Sequence, residues 1–437
     1  MNKRRGLAVG VCVSWLFIVL SSSASTASQI TSTKCSKAGT YRTVKAFRYQ
    51  CKKSVLGLRW VIALTKPTPT TTTTTATTTN LTIPSPILTN VAACKLKDMT
   101  LLSGGTLGFP RVSTRLPSTG MIRIGIVFVD FTDSIAAVST ESTLGLYSPD
   151  FETQLHKMSY GRLSVELFPL HGWARMSKES SSYRLGRGGG GGGDATSFLD
   201  EAIRLGARGT DINSWDSFIV LANARNVVAT SQSPPKGMEI SAGGRSWVNG
   251  VLLGTENGHL VSQMIHEVGH NLGLLDLYPF SGVGFRYTGE FGLMGNLWGT
   301  APELYAWERW TLNWLEDTQV ICLESRSVTA YLSPVSNSGG QKMIVSPISE
   351  SKALVVEVRR KVGYDKAITE EGPLVYLVDT SIPAGYGTIK VLPLLESDAI
   401  KSSAPLNLGE TIEFEGISIT YKSREAFGDE VIVTRTS

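Results

Sequence analysis

The stretch Met264-Ile-His-Glu-Val-Gly-His-Asn-Leu-Gly-Leu-Leu-Asp276 decides how this 437-residue chain reads. His266 and His270 stand four residues apart. On an α-helix that spacing puts both imidazoles on one face, where they can reach a single metal ion. Glu267 projects from the same turn, placed to handle a proton of water beside that ion. Leu260, Val261, Met264, Ile265, Val268 and Leu272 recur at helical spacing around the histidines, which predicts a buried helix rather than a charged surface stripe. Buried imidazoles and a buried carboxylate need a partner, and a metal supplies one. Asn257-Gly258 offers an amino-terminal cap. Gly273 can take the left-handed conformation that ends a helix, so a sharp turn is expected there.

A third ligand must come from outside the helix. The chain holds five histidines, and none lies beyond His270. In the long motif H-E-x-x-H-x-x-G-x-x-H the last histidine falls where this sequence has Asp276, whose carboxylate is an acceptable zinc ligand. Glu290 is the rival, at the distance from which a glutamate serves in another class of zinc peptidase. Asp276 is the preferred reading of the two. Farther on, Phe291-Gly-Leu-Met-Gly295 places Met294 where a methionine turn would form the floor beneath the metal. Together these residues read as a zinc-hydrolase site with Glu267 as general base.

Several blocks resemble the immune-inhibitor-A-type secreted metallopeptidases, a zincin family close to the metzincins. HEVGHNLGLLDLY (His266 to Tyr278) is similar to their zinc segment, with Leu275 in place of the usual proline. GEFGLMGN (Gly289 to Asn296) resembles their methionine turn, and Pro302 to Trp314 the helix that follows it. Upstream, Ile124 to Asp133 is similar to their first strand and Ser159 to Ser164 to a helix-to-strand turn. The resemblance implies zinc ligands His266, His270 and Asp276, with Glu267 as general base. It also implies an α/β zincin-like catalytic domain, a mixed sheet with an active-site helix.

The formal charge of +5 is modest, and no basic stripe with interleaved aromatics appears, so nucleic acid is not an expected partner. Residues 1–27 have the basic start, apolar run and small-residue end of a secretory signal, which predicts a secreted, extracellular or surface-associated protein with no membrane span after cleavage. Export leaves Cys35, Cys51, Cys94 and Cys322 in an oxidising setting. Cys35 and Cys51 flank one small basic unit, residues 28–65, and suggest a local bridge; Cys94 with Cys322 would then clip the start of the catalytic region to its end. The alternative is a free Cys94 thiolate caging the zinc. The small module offers cell-wall association or acts as a solubilising appendage. Residues 66–90 form a Thr/Pro-rich linker that cannot bury a core.

Residues 91–325 read as the catalytic domain. Met121 to Phe131, Leu163 to Leu170 and Phe218 to Ala222 suit strands, Glu152 to Met158 and Ala195 to Leu205 helices, and Trp247 to Leu253 an edge strand that could pair with an extended peptide. Asp130 and Asp133 offer either a calcium site or a capped turn, of which the turn is preferred. Gly188 to Gly193 lacks the Lys-Ser/Thr ending of a phosphate loop and reads as a flexible loop. Residues 326–437 show short strands, among them Val328 to Leu332, Ala353 to Arg359, Leu374 to Val378, Thr411 to Phe414 and Val431 to Thr434, which predict a β-sandwich. The functional expectation is a secreted zinc endopeptidase acting on protein or peptide. Its rivals are a surface-attached binding protein with a vestigial metal site and a zinc amidase of cell-wall peptides.

Overall fold

The computed structural model describes residues 36–37, 40–44, 47–54, 57–62, 85–99, 107–183, 195–224, 230–232, 240–247, 249–255, 260–281, 284–324, 326–393 and 401–436. The signal segment, Cys35, most of the linker, the glycine run and the Asn257-Gly258 cap lie outside the described residues. The chain divides into two units, one ending at Leu81 and one running from Thr82 to Ser437. In the first, β1 (Tyr41–Val44), β2 (Phe47–Ser54) and β3 (Gly57–Ile62) form an antiparallel sheet in that order, with Cys51 buried and set opposite Trp60.

The second unit is mixed α/β. Its first half contains β4 (Gly120–Asp130), α1 (Thr140–Leu144), α2 (Asp150–Met158), β5 (Leu163–Arg175), α3 (Ala195–Gly206) and β6 (Ser217–Ala222). There follow β7 (Thr230–Gln232), the hairpin of β8 (Ile240–Ala242) and β9 (Arg245–Trp247), β10 (Gly250–Gly254), α4 (Leu260–Leu272) and α5 (Ala306–Thr311). The sheet order is β5-β4-β6-β10-β7, with β7 antiparallel to β10 and every other neighbouring pair parallel. The apolar run of β4 alternates between two cores, as a pleated strand buried on both faces must. Ile122, Ile124, Ile126 and Phe128 face the core that includes α2 and α4, whereas Val127 and Val129 meet Phe198, Leu199 and Ile203 of α3.

Two expectations need correction here. The strand before α4 is internal, since β10 is hydrogen-bonded to both β6 and β7; the edge is β7, and Trp247 belongs to the separate hairpin. The helix expected over Pro302 to Trp314 is only α5. Glu308 turns back to accept from the Tyr305 amide at 2.9 Å and so sets its start. Asn313 ends it in the left-handed conformation at φ 59°, with the Trp314 amide closing on the Arg309 carbonyl.

The remaining strands are β11 (Val320–Cys322), β12 (Ser327–Leu332), β13 (Met343–Pro347), β14 (Lys352–Arg359), β15 (Gly372–Asp379), β16 (Ile389–Val391), β17 (Thr411–Phe414), β18 (Ile417–Arg424) and β19 (Asp429–Arg435). They make two sheets, β11-β13-β14-β15-β16 and β12-β19-β18-β17. The first is a shared middle layer. Ala353, Val355, Leu374 and Tyr376 join the core around α4, while Leu354, Val356, Val358 and Val375 face Ile419, Val431 and Val433 of the second sheet. Cys94 and Cys322 are joined by a disulfide, which ties the start of the unit to β11 and leaves no free Cys94 thiolate to cage a metal. No helix of the described residues is long and apolar enough to cross a membrane.

Candidate metal centre

Helix α4 carries His266 and His270 on one face and is buried over most of its length. It packs against α2, β7 and β10. Gly273 ends it at φ +105°, with the Gly273 amide on the His270 carbonyl and the Leu274 amide on the Gly269 carbonyl, both at 2.9 Å. This paired closure needs a residue without a β-carbon penalty in the left-handed region. The Arg111 guanidinium donates to the carboxyl end of the helix at the Leu272 carbonyl, 3.0 Å away. The chain then doubles back and brings Asp276 to the histidines.

The three side chains meet at one point. Asp276 Oδ1 lies 3.1 Å from His266 Nε2 and 3.1 Å from His270 Nε2, and the two Nε2 atoms are 3.2 Å apart. The other ring nitrogens face backbone carbonyls: His266 Nδ1 is 3.3 Å from Leu293 O and His270 Nδ1 2.9 Å from Leu274 O. A carbonyl only accepts, so each Nδ1 carries the proton and each Nε2 turns a lone pair inward. Two imidazole lone pairs and a carboxylate oxygen therefore converge, which is unfavourable unless a cation lies among them. A proton can bridge one pair of these atoms; a divalent ion satisfies all three.

The donor set fits such an ion. Among the described residues these three form the single group of His, Cys, Asp or Glu placed to hold a metal. Tetrahedral zinc with bonds of about 2.0 Å separates its ligand atoms by about 3.3 Å, close to the triangle seen here. Without an ion the charges lean on one another. Burial opposes a charge on His270, but the Asp276 carboxylate, assisted by Glu267, outweighs it and raises the imidazolium to about 9. Burial likewise opposes the Asp276 charge, and the two imidazoles overcome that and hold its carboxyl far below the usual range.

The turn that carries Met294 packs against the helix. Gly295 and Asn296 amides both donate to the Gly292 carbonyl, and the Met294 carbonyl accepts from Leu277, directly after Asp276. Met294 is fully buried, its sulfur 2.9 Å from where a β-carbon on Gly269 would stand, so it sits against the helix between the two histidines. Glu267 is buried on the same helical turn, close enough to Tyr278 for its charge to help raise that phenol. Glu290 is elsewhere: its carboxylate accepts from the Thr300 hydroxyl and faces the Thr369 amide at 3.5 Å. The structure thus brings Asp276 rather than Glu290 to the histidines.

Three participants escaped the sequence reading. The Leu274 and Leu293 carbonyls orient the rings through backbone atoms and leave no mark in side-chain identity. Tyr278 stacks on His266 at 6.1 Å, and burial together with Asp276 pushes its phenol well above the ordinary range. The alternation Asp276, Tyr278 past a turn is the one signal that could have suggested it. The Asp130 carboxylate is gripped by Arg175 at 2.6 and 2.9 Å, and Asp133 accepts from the Ser180 amide and hydroxyl at 2.8 Å, which accounts for both acids as anchors of a turn. No known family model matches the chain, and no curated protein compared with it is similar.

Proposed function

We propose that this chain is a secreted zinc endopeptidase. The observation that carries the reading is the meeting of three lone-pair donors, His266 Nε2, His270 Nε2 and Asp276 Oδ1, with a buried glutamate one residue from the first ligand. His266, His270 and Asp276 would hold the zinc. Bound there, zinc supplies Lewis acidity and makes water reactive near neutral pH. Glu267 would accept a proton from the attacking water and pass it to the leaving amine. The Leu274 and Leu293 carbonyls keep both rings in the tautomer that presents Nε2.

Strand β7 supports a peptide substrate. It is the last strand of the sheet, antiparallel to β10 and packed beside α4, and among the described residues no strand covers its outer side. An extended chain can add to such an edge and run past the metal ligands. A mixed sheet with an antiparallel edge beside the helix suits a zincin-type catalytic region. The two facing sheets that follow suit a β-sandwich, and Ser-rich residues before position 28 suit export.

The test is Glu267→Ala. The variant is expected to retain about one zinc per chain and to lose casein hydrolysis by roughly 10²- to 10⁴-fold, the range for a general base. Casein zymography with and without a chelator gives the wild-type reference. Undiminished hydrolysis in the variant removes Glu267 from this role.

A further inference from the structure

Three aromatic side chains among the described residues expose more than half of their surface: Phe280 at 53%, Trp298 at 57% and Tyr386 at 54%. Two of them continue a row of rings that begins at a metal ligand. Tyr278 stacks on His266 with centroids 6.1 Å apart, Phe280 meets Tyr278 at 5.8 Å, and Tyr386 meets Phe280 edge-on at 6.2 Å. The row joins segments a hundred residues apart in the chain. Its backbone is fixed by the Gly385 amide on the Asp276 carbonyl at 3.0 Å and the Phe280 amide on the Gly385 carbonyl at 3.1 Å. Phe280 lies flat on Gly385, where a β-carbon would fall 2.2 Å from the ring. The loop between β15 and β16 therefore reaches the metal-bearing turn and presents its own ring beside it.

An exposed apolar surface that is rigid, aromatic and continuous with a ligand set is what a subsite for an apolar group requires. We propose that Phe280 and Tyr386 form a substrate subsite that selects peptides with an aromatic or large aliphatic side chain near the bond to be cut. This rests on the peptidase reading of the metal centre. Two ring contacts separate Phe280 from His266. At about 3.3 Å per extended residue, the selected side chain then lies within roughly four positions of that bond.

The experiment uses two capped octapeptides that differ in one central residue, Phe or Ala. Calorimetry measures their binding to the zinc-loaded full chain carrying Glu267→Gln, and kcat/KM is measured with Glu267 intact. The Phe peptide is expected to be preferred by about 10- to 100-fold, the span an apolar pocket achieves. Phe280→Ala with Tyr386→Ala should shrink the preference below about threefold, Phe280→Leu should leave an intermediate value, and Tyr386→Phe should keep it whole. A preference that is absent in the parent chain, survives the double substitution, or persists while both peptides weaken equally overturns the proposal. If neither peptide is cleaved yet the binding preference collapses in the double variant, the subsite stands and the peptidase reading falls. If both are cleaved with a preference that the substitutions do not change, the subsite falls and the peptidase reading stands.

Discussion

Beneath α5, Arg309 pairs with Glu303, and Arg359 pairs with Glu357 at 2.6 Å and with Asp365 at 2.8 Å, all of them buried. Glu357 also accepts from the Ala306 amide and the Tyr376 hydroxyl, and Asp365 from the Glu303 amide. In the candidate metal centre, Asp276 Oδ1 faces the Nε2 atoms of His266 and His270, which as neutral imidazoles are themselves lone-pair donors. Both clusters are buried and rich in titratable groups. One brings its own permanent cations and is closed largely by them; the other is an arrangement of acceptors that an ion could complete. Burial of charge therefore does not by itself separate the two clusters; the presence of a permanent cation does.

Breaking the closed cluster should have the largest effect on folding. Arg359→Leu strands Glu357 and Asp365 in the interior, and losing one partner of a buried pair costs about 3–5 kcal/mol. Denaturant melts should show a loss of that order, and a change below about 1 kcal/mol would erase the distinction between the clusters. Gly269→Ala probes the open cluster more gently. A glycine inside a helix normally gains about 1 kcal/mol on becoming alanine, but overpacking costs about 1–3 kcal/mol. With the Met294 sulfur 2.9 Å from the new carbon, a net loss of about 1 kcal/mol is expected, and a gain would show that Met294 moves aside freely.

The remaining effect concerns pH. Burial, reinforced by Glu357 and opposed by the Tyr305 amide, Arg359 and Arg309, raises Glu308 from 4.5 to about 8. Between those values the folded chain keeps a proton that the unfolded chain has released, so stability falls as pH rises from about 4.5 to about 8. Glu308→Gln should flatten this decline. Thermal melts of both proteins at pH 5 and pH 8 check it, and an unchanged slope assigns the decline to other groups.

The sequence exposed the open cluster better than the closed one. His266 and His270 declare themselves by spacing, Gly273 by the turn that a helix end requires, and Asp276 by its place beyond that turn. The strands Met121 to Phe131 and Ala353 to Arg359 were legible because their β-branched runs are buried on both faces. Long-range pairings were not. Nothing local tells that Gly385 closes on Asp276, that Arg359 faces Asp365 and Glu357 beneath α5, or that β7 rather than β10 forms the edge. The helix expected over Pro302 to Trp314 rests on the family resemblance and is too long, since the Glu308 cap and the Asn313 turn confine it to Ala306–Thr311.

Metal content measured on the purified full chain, and on the chain with His266→Ala and Asp276→Ala, tests the central claim most directly. Close to one zinc is expected per wild-type chain, none in the His266 variant, and a weakened, readily chelated ion in the Asp276 variant. A wild-type chain that binds no divalent ion after incubation with zinc, or a His266 variant that binds it as tightly as wild type, would contradict the account.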